Sequence, residues 1–166
     1  MNDMKAAMPL NEIARLEELR ALGILDTSPE KTYQFFTAMA CMVFSTPIAA
    51  IGLMDSDRQW FKAKLGIEQH QWKRDETVCS HTLLQDQLLE IPDISKDKRF
   101  KGLEQFKFYA GVPLISSKGH VLGTFFVADH KKRKLNSEQR ETLTSLAAQV
   151  VYMIEYQAAQ RLARQA

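Results

Sequence analysis

Two runs, "IAAIGLMD" (48–55) and "HVLGTFFVAD" (120–129), constrain the fold more than anything else in the chain. The first is short and apolar throughout, as in a buried strand, and the second is apolar on both faces, as in a central strand. Around them lie two half-buried patterns. "SDRQWFKAKLG" sets Trp60, Lys62 and Lys64 against Phe61, Ala63 and Leu65, which makes Asp55-Ser56-Asp57 a hairpin turn. "FKFYAGVPLI" places Phe106, Phe108, Ala110, Val112 and Leu114 on one face, with Pro113 demanding an edge or a bulge. "LLEIPD" reads as a short strand closed by Pro92, and "SSKG" as a turn. The stretch from Gly66 to Val78 has no period and reads as a loop, and "ISKDKRFKGLEQ" as irregular with one helical turn.

Helical spacing dominates both ends. Ile13, Leu16, Leu19 and Leu22 follow Asn11 and stop at Gly23. A second helix, capped by Thr27 or Ser28 with Pro29 in its first turn, carries Tyr33, Phe36, Met39, Ala40 and Val43 and ends before Pro47. The last helix runs from Ser137 to about Gln165, with Asn136 and Gln139 spaced as a capping box. Its two stripes, Leu143, Leu146, Val150 and Met153 beside Ala147, Val151, Ile154 and Ala158, suggest one line for the sheet and one for a second copy of the chain. Helix, helix, hairpin, loop, further strands and long helix make an α+β domain. The expected core includes Ile13, Phe36, Met39, Ile51, Leu53, Phe125, Val127, Leu146 and Val150.

At 166 residues, one domain buries roughly 70% of the surface of its unfolded chain, enough for an unstapled core. The 22 basic and 20 acidic side chains leave a charge of +2, too balanced to steer the chain onto nucleic acid or an anionic membrane. The basic run "HKKRK" (130–134) has no aromatic platform beside it and reads as a solvated loop. Two cysteines, Cys41 and Cys79, make no disulfide framework, and with no secretory signal or spanning segment a cytoplasmic setting is expected.

The strings "RLEELRALGILDTSPEKTYQFFTAMA", "IAAIGLMDSDRQWFKAKLG", "CSHTLLQDQLLEIPDISKDKRF", "FYAGVPL" and "GHVLGTFFVAD" stand in the order and spacing of GAF domains from bacterial signalling proteins. The resemblance spans roughly Asn11 to Tyr156. It implies a PAS-related, six-stranded antiparallel sheet, with the N-terminal helices and the long C-terminal helix on one face. It also implies a small-molecule or protein-contact pocket over the other face and, in most members, no catalysis. Residues 1–10 then form a flexible N-terminus, 11–156 the domain, and 157–166 an extension of the last helix. "AAQRLARQA" resembles the linker that leads into a diguanylate cyclase, so the chain reads as the input part of such an enzyme. Between Phe100 and Phe108 only "KGLEQFK" stands where many relatives carry a longer insert, which implies a more open site.

The chemistry-bearing string is "RDETVCSH" (74–81). Cys79 and His81 diverge if a helix starts at Ser80, and Cys41, His70, His120 and His130 lack zinc-like spacing, so neither a nucleophile–base pair nor a metal site is expected. The glycine-rich cysteine set of GAF-fold methionine sulfoxide reductases, the bilin-attachment motif and the asparagine-lysine signature of cyclic-nucleotide-binding members are missing. A stand-alone redox enzyme of the reductase type is the alternative reading, and a ligand-free dimerisation module another. No cofactor is expected. For a small-molecule ligand, the candidate contacts are His81, Asp93, Arg99, Phe108, Tyr109 and Asp129, expected over the sheet face away from the long helices. Arg99 suits an anionic group, because its planar fork matches carboxylates and phosphates. The expected relay is a homodimer through the last helix.

Overall fold

The structure, a computed structural model, describes residues 5–102 and 105–165. Helices α1 (Glu12–Ala21) and α2 (Lys31–Phe44) lead into strands β1 (Ile48–Met54), β2 (Arg58–Leu65) and β3 (Gln71–Lys73). A 3-10 turn at Arg74–Glu76, the single-turn helix α3 (Cys79–Thr82) and strand β4 (Leu89–Ile91) follow. Two further 3-10 turns precede β5 (Phe108–Ile115), β6 (Val121–Asp129) and helix α4 (Ser137–Gln165). The six strands form one antiparallel sheet in the order β3-β2-β1-β6-β5-β4. β1 and β6, the two runs apolar on both faces, lie at its centre.

The pleat sends alternate residues to opposite faces. Ala49, Ile51, Leu53, Phe125, Val127, Phe108, Ala110, Val112 and Leu114 meet Leu19 of α1, Tyr33, Ala40 and Phe44 of α2, and Leu143, Val150 and Ile154 of α4. Ile48, Ala50, Met54, Phe126, Ala128 and Tyr109 point the other way, into a second core roofed by Val78, Cys79, Leu83, Ile94 and Phe100. Long helices thus cover one face, and the 74–100 segment covers the other.

A bulge between Ile51 and Gly52 pairs Ala63 with Ile51 and Phe61 with Gly52, leaving Lys62 as the extra residue. Ala63 therefore joins Trp60 on the helix-covered face, not Phe61 as simple alternation predicts. Lys62, 3% exposed, reaches beneath the α1–α2 connection to Glu30 (2.6 Å), Thr27 Oγ1 (2.8 Å) and the Ser28 carbonyl (2.7 Å). α2 begins at Lys31 rather than at Pro29, because Glu30 is still extended. The stretch expected as an unbroken loop contains β3, an edge strand too polar to show an apolar period. β4 accompanies β5 only as far as Gly111, so Pro113 sits where no neighbour needs its missing donor. The capping box of α4 forms in both directions: Gln139 N–H donates to Asn136 Oδ1 (2.8 Å), and Asn136 N–H to Gln139 Oε1 (3.0 Å).

The helix faces depart from expectation in three places, the first being Val43 of α2, which is exposed while Thr37 and Phe44 are buried. Ile13 is 78% exposed, since α1 lies on the domain through Arg15 and Leu19 instead. In α4, Ala147, Val151, Ile154 and Ala158 are buried together with Leu143 and Val150, while Leu146 and Met153 are half-buried. Both stripes face the domain body. The outward side chains are Tyr152 and Tyr156, whose rings stack at 6.1 Å, and Leu162.

Candidate functional site

Aromatic side chains dominate the face away from the long helices. Phe61, Trp72, Phe106, Tyr109 and Phe126 form a continuous cluster, with Phe61 edge-on to Trp72 (4.8 Å), Trp72 5.9 Å from Phe106, and Tyr109 stacked on Phe126 (5.4 Å). Trp72, Phe106, Tyr109 and Phe126 line a hollow of about 10 Å³ together with Glu76, Thr77, Val78, Cys79 and Gln105, room for one water molecule. The site is therefore filled rather than opened by the short connection before β5, because Phe106 folds back over Trp72.

Beneath the roof lies a buried polar layer. Tyr109 Oη is 3.0 Å from Thr82 Oγ1 and 3.3 Å from Cys79 Sγ, and Gln59 Nε2 donates to Thr124 Oγ1 (3.3 Å). Gly111 and Gly52 make this layer possible: a Cβ on Gly111 would stand 2.2 Å from Tyr109 Oη, and one on Gly52 2.3 Å from Gln59 Nε2. Burial pushes the Cys79 thiol up, and hydrogen bonds to Thr124, Tyr109 and Gln59 offset this only in part. Burial also holds Tyr109 well above the ordinary phenol range. Burial thus favours the protonated thiol, which packs here as an uncharged side chain.

Of the six candidate ligand contacts, Tyr109 alone lines the hollow. His81 is half-buried, with its ring edge-on to Phe100 at 4.8 Å. Asp93 caps a 3-10 turn, accepting from Ser95 N (3.1 Å) and Ser95 Oγ (2.5 Å); these bonds, the hydroxyl's first, lower its pKa. Arg99 pairs with Asp97 (2.7 Å) and lies 4.9 Å over the Phe100 ring, its fork already engaged. Phe108 and Asp129 are on the opposite face, which corrects the expectation that all six gather over one. They are register partners, and Phe108 packs beneath the long helices. Asp129 accepts from Arg133 Nε (2.5 Å), and Arg133 also donates to the Phe44 carbonyl (2.9 Å) and the Ser45 carbonyl, fixing the loop before α4 to the end of α2. Burial raises Asp129, but hydrogen bonds from Arg133 and from the His130 and Lys131 amides, with the charge of Arg133, together bring the net shift downward.

Sequence reasoning passed over Arg74 and Glu12. Arg74 opens the "RDETVCSH" string, is 4% exposed, and donates to Glu12 Oε1 (2.5 Å) and to the Asp55 carbonyl (3.0 Å). The same Glu12 carboxylate accepts from Arg15 Nε and Nη2 (2.9 Å each). Burial raises Glu12, yet the two arginines' hydrogen bonds and charges win and bring it down to about 2. Nothing in the local sequence pairs residues 62 positions apart. Thr77 Oγ1 accepts from Ser80 N–H (3.1 Å) at the start of α3.

A roomier concavity lies on the helix-bearing side. A groove of about 910 Å³ runs between α4 and the β4–β5 edge, lined by Leu88, Val112, Pro113, Ala148 and Val151, with Glu90 and Arg140 paired across it (2.7 Å). Among the described residues, no cluster of three or more His, Cys, Asp or Glu side chains could hold a metal ion, and no helix is long and apolar enough to cross a membrane.

The chain is 33% identical over 131 residues to a cyclic di-GMP phosphodiesterase of Pseudomonas aeruginosa, a match covering 75% of this chain and 22% of that protein. It thus spans about a fifth of the curated relative's length. Among solved structures, it resembles the GAF domain of a phosphoenolpyruvate-protein phosphotransferase from Coxiella burnetii (TM-score 0.69, 15% identity, 90% of this chain and 98% of that one). The GAF domain of an Acinetobacter phosphoenolpyruvate-protein phosphotransferase is comparably close (TM-score 0.67, 17% identity, 92% and 97%). Since the family model of the GAF domain matches residues 21–154, from the end of α1 through the buried half of α4, the chain belongs to the GAF domain family.

Proposed function

We propose that this chain is a non-catalytic regulatory GAF module, the input part of an enzyme that makes or degrades cyclic di-GMP, and that it signals through a homodimer of its last helix. One observation carries the reading. α4 is 29 residues long, about 43 Å at 1.5 Å per residue, and after Ala158 its described residues 159–165 are all exposed. A helix that outruns the sheet it covers is suited to transmit rather than to cap. The likeness to a cyclic di-GMP phosphodiesterase supports the choice of output, and a cyclase output is compatible with the same helix.

The pairing surface in this reading is the outward face of α4, where Tyr152 (63% exposed) and Tyr156 (48%) supply aromatic anchors of the kind that dominate interface energetics. Residues 157–166 act as the signalling linker. A small ligand enters the far face by displacing Phe106 from Trp72, with Tyr109 and the Arg74–Thr82 roof as its surroundings. It biases the output only by the difference in its affinity for the two states.

Sedimentation equilibrium tests the pairing: the wild-type chain should dimerise, and Tyr152→Glu/Tyr156→Glu should be monomeric with an unchanged circular dichroism spectrum. A wild-type chain that stays monomeric at several hundred micromolar would remove the helix-pairing reading. Turnover of free methionine sulfoxide by the isolated chain would remove the non-catalytic one.

A further inference from the structure

We infer that α1 is a lever joining the roof of the far-face hollow to the emerging end of α4, with an arginine fork at each end. This rests on the regulatory reading above and names the route by which the site would reach the output. At one end, Arg74 begins the roof segment whose following residues Glu76, Thr77 and Cys79 line the hollow. Its buried guanidinium holds Glu12, the first residue of α1, at 2.5 and 3.3 Å. At the other end, Arg161, three residues beyond the last buried residue of α4, donates to the Gly23 carbonyl (3.0 Å) and to the Leu22 carbonyl. Those carbonyls belong to the C-cap of α1 and to the residue after it, and the turn there depends on Gly23 at φ +65°.

Between its ends the apolar hold on α1 is thin, and Arg15 adds a donated bond to the Val121 carbonyl (3.2 Å). Arg15 and Leu19 are its buried residues, and Ile13 is open to solvent. Near its middle, Glu18 accepts from Ser116 Oγ (2.5 Å) and lies 2.8 Å from His120 Nδ1, both on the β5–β6 hairpin, which gives a pivot. A ten-residue helix with charge-assisted contacts at both ends and a thin apolar footprint moves more readily as a unit than the central strands, where each displacement must break a ladder. Displacing the roof at Arg74 therefore tilts α1 and loosens or tightens the hold of Arg161 on the output helix. Coupling of this kind is reciprocal, so disturbing either end must be felt at the other.

The experiment uses the isolated chain and no ligand. In Arg161→Gln, alkylation of Cys79 by iodoacetamide, mapped by peptide mass spectrometry, should speed up about five-fold while Cys41 is unchanged. In Glu12→Gln, amide hydrogen exchange of residues 159–165 should speed up by a similar factor. Glu155→Gln, which frees α4 from Ser117 (2.5 Å) without touching α1, serves as the control and should leave Cys79 at the wild-type rate. The lever is overturned if Arg161→Gln leaves Cys79 unaffected, if Glu155→Gln matches it, or if both thiols accelerate together, which signals opening of the whole domain. Because neither dimer nor output enzyme is needed, a monomeric chain would leave the lever standing, and a rigid α1 would leave the helix-pairing reading standing.

Discussion

Cys41 and Cys79 lie on opposite faces of the sheet. Cys41 packs from α2 against the core beneath the long helices, and Cys79 sits in the core beneath the 74–100 roof. A reaction in which the two thiols meet would require the strands between them to part. Burial also raises the pKa of both. Mild oxidation should therefore yield no intramolecular disulfide, and Cys79 alkylation should rise only at pH values above the ordinary thiol range. Mass spectrometry of oxidised protein and a pH–rate series check both; a Cys41–Cys79 disulfide formed without unfolding would revive the redox reading.

Acid should weaken the clasp at Glu12. Its folded-state pKa of about 2 lies below the ordinary value of 4.5, so the stabilisation is fully present above about 4.5 and is lost as pH falls toward 2. Arg74→Gln removes one of the two arginines responsible. The variant should be less stable at pH 7, and its stability should decline less steeply between pH 5 and 2 than that of the wild type. Urea unfolding across that window gives the comparison.

Val151 and Ile154 are 8% and 1% exposed against the domain body. Ile154→Ala should cost about 2–4 kcal/mol, and Val151→Glu/Ile154→Glu should abolish the folded circular dichroism signal rather than merely separate a dimer. A folded, monomeric double variant would show that this face meets a partner instead.

Lys62, the extra residue of the β2 bulge, ties the α1–α2 connection to the sheet through Glu30, Thr27 and Ser28. Lys62→Met keeps the apolar stem and removes the three contacts. A loss of about 2 kcal/mol is expected, or roughly 4–8 °C in Tm for a domain of this size, measurable by thermal unfolding.

What could be read from the sequence was whatever repeats along it. β1, β5, β6 and α4 announce themselves through apolar runs or spacing, and the hairpin at Asp55–Asp57 through its turn residues. β3 stayed hidden because three polar edge residues carry no period, and the bulge at Lys62 because an inserted residue has no signature of its own. The candidate site erred where register mattered. Phe108 and Tyr109 are consecutive on one strand and point to opposite faces, so they could not both address one ligand. Asp129 ends β6, but its partner Arg133 lies four residues on, in a loop whose course the sequence does not dictate. The forks at Glu12 and Gly23 join residues 62 and 138 positions apart, and only the closed fold brings them together.

Pro113 has a consequence for how such domains crowd together in the cell. Beyond Gly111 the outer margin of β5 is no longer shadowed by β4, and an unguarded margin of that kind invites a stray strand to dock and seed aggregation. Proline withholds an amide hydrogen from any such intruder at that point. The other margin is guarded by brevity and charge, since β3 is three residues long and ends in Lys73. With β3 and the uncovered part of β5 made inhospitable to strand pairing, the helix pairing proposed above would let copies meet without committing the protein to an irreversible stack.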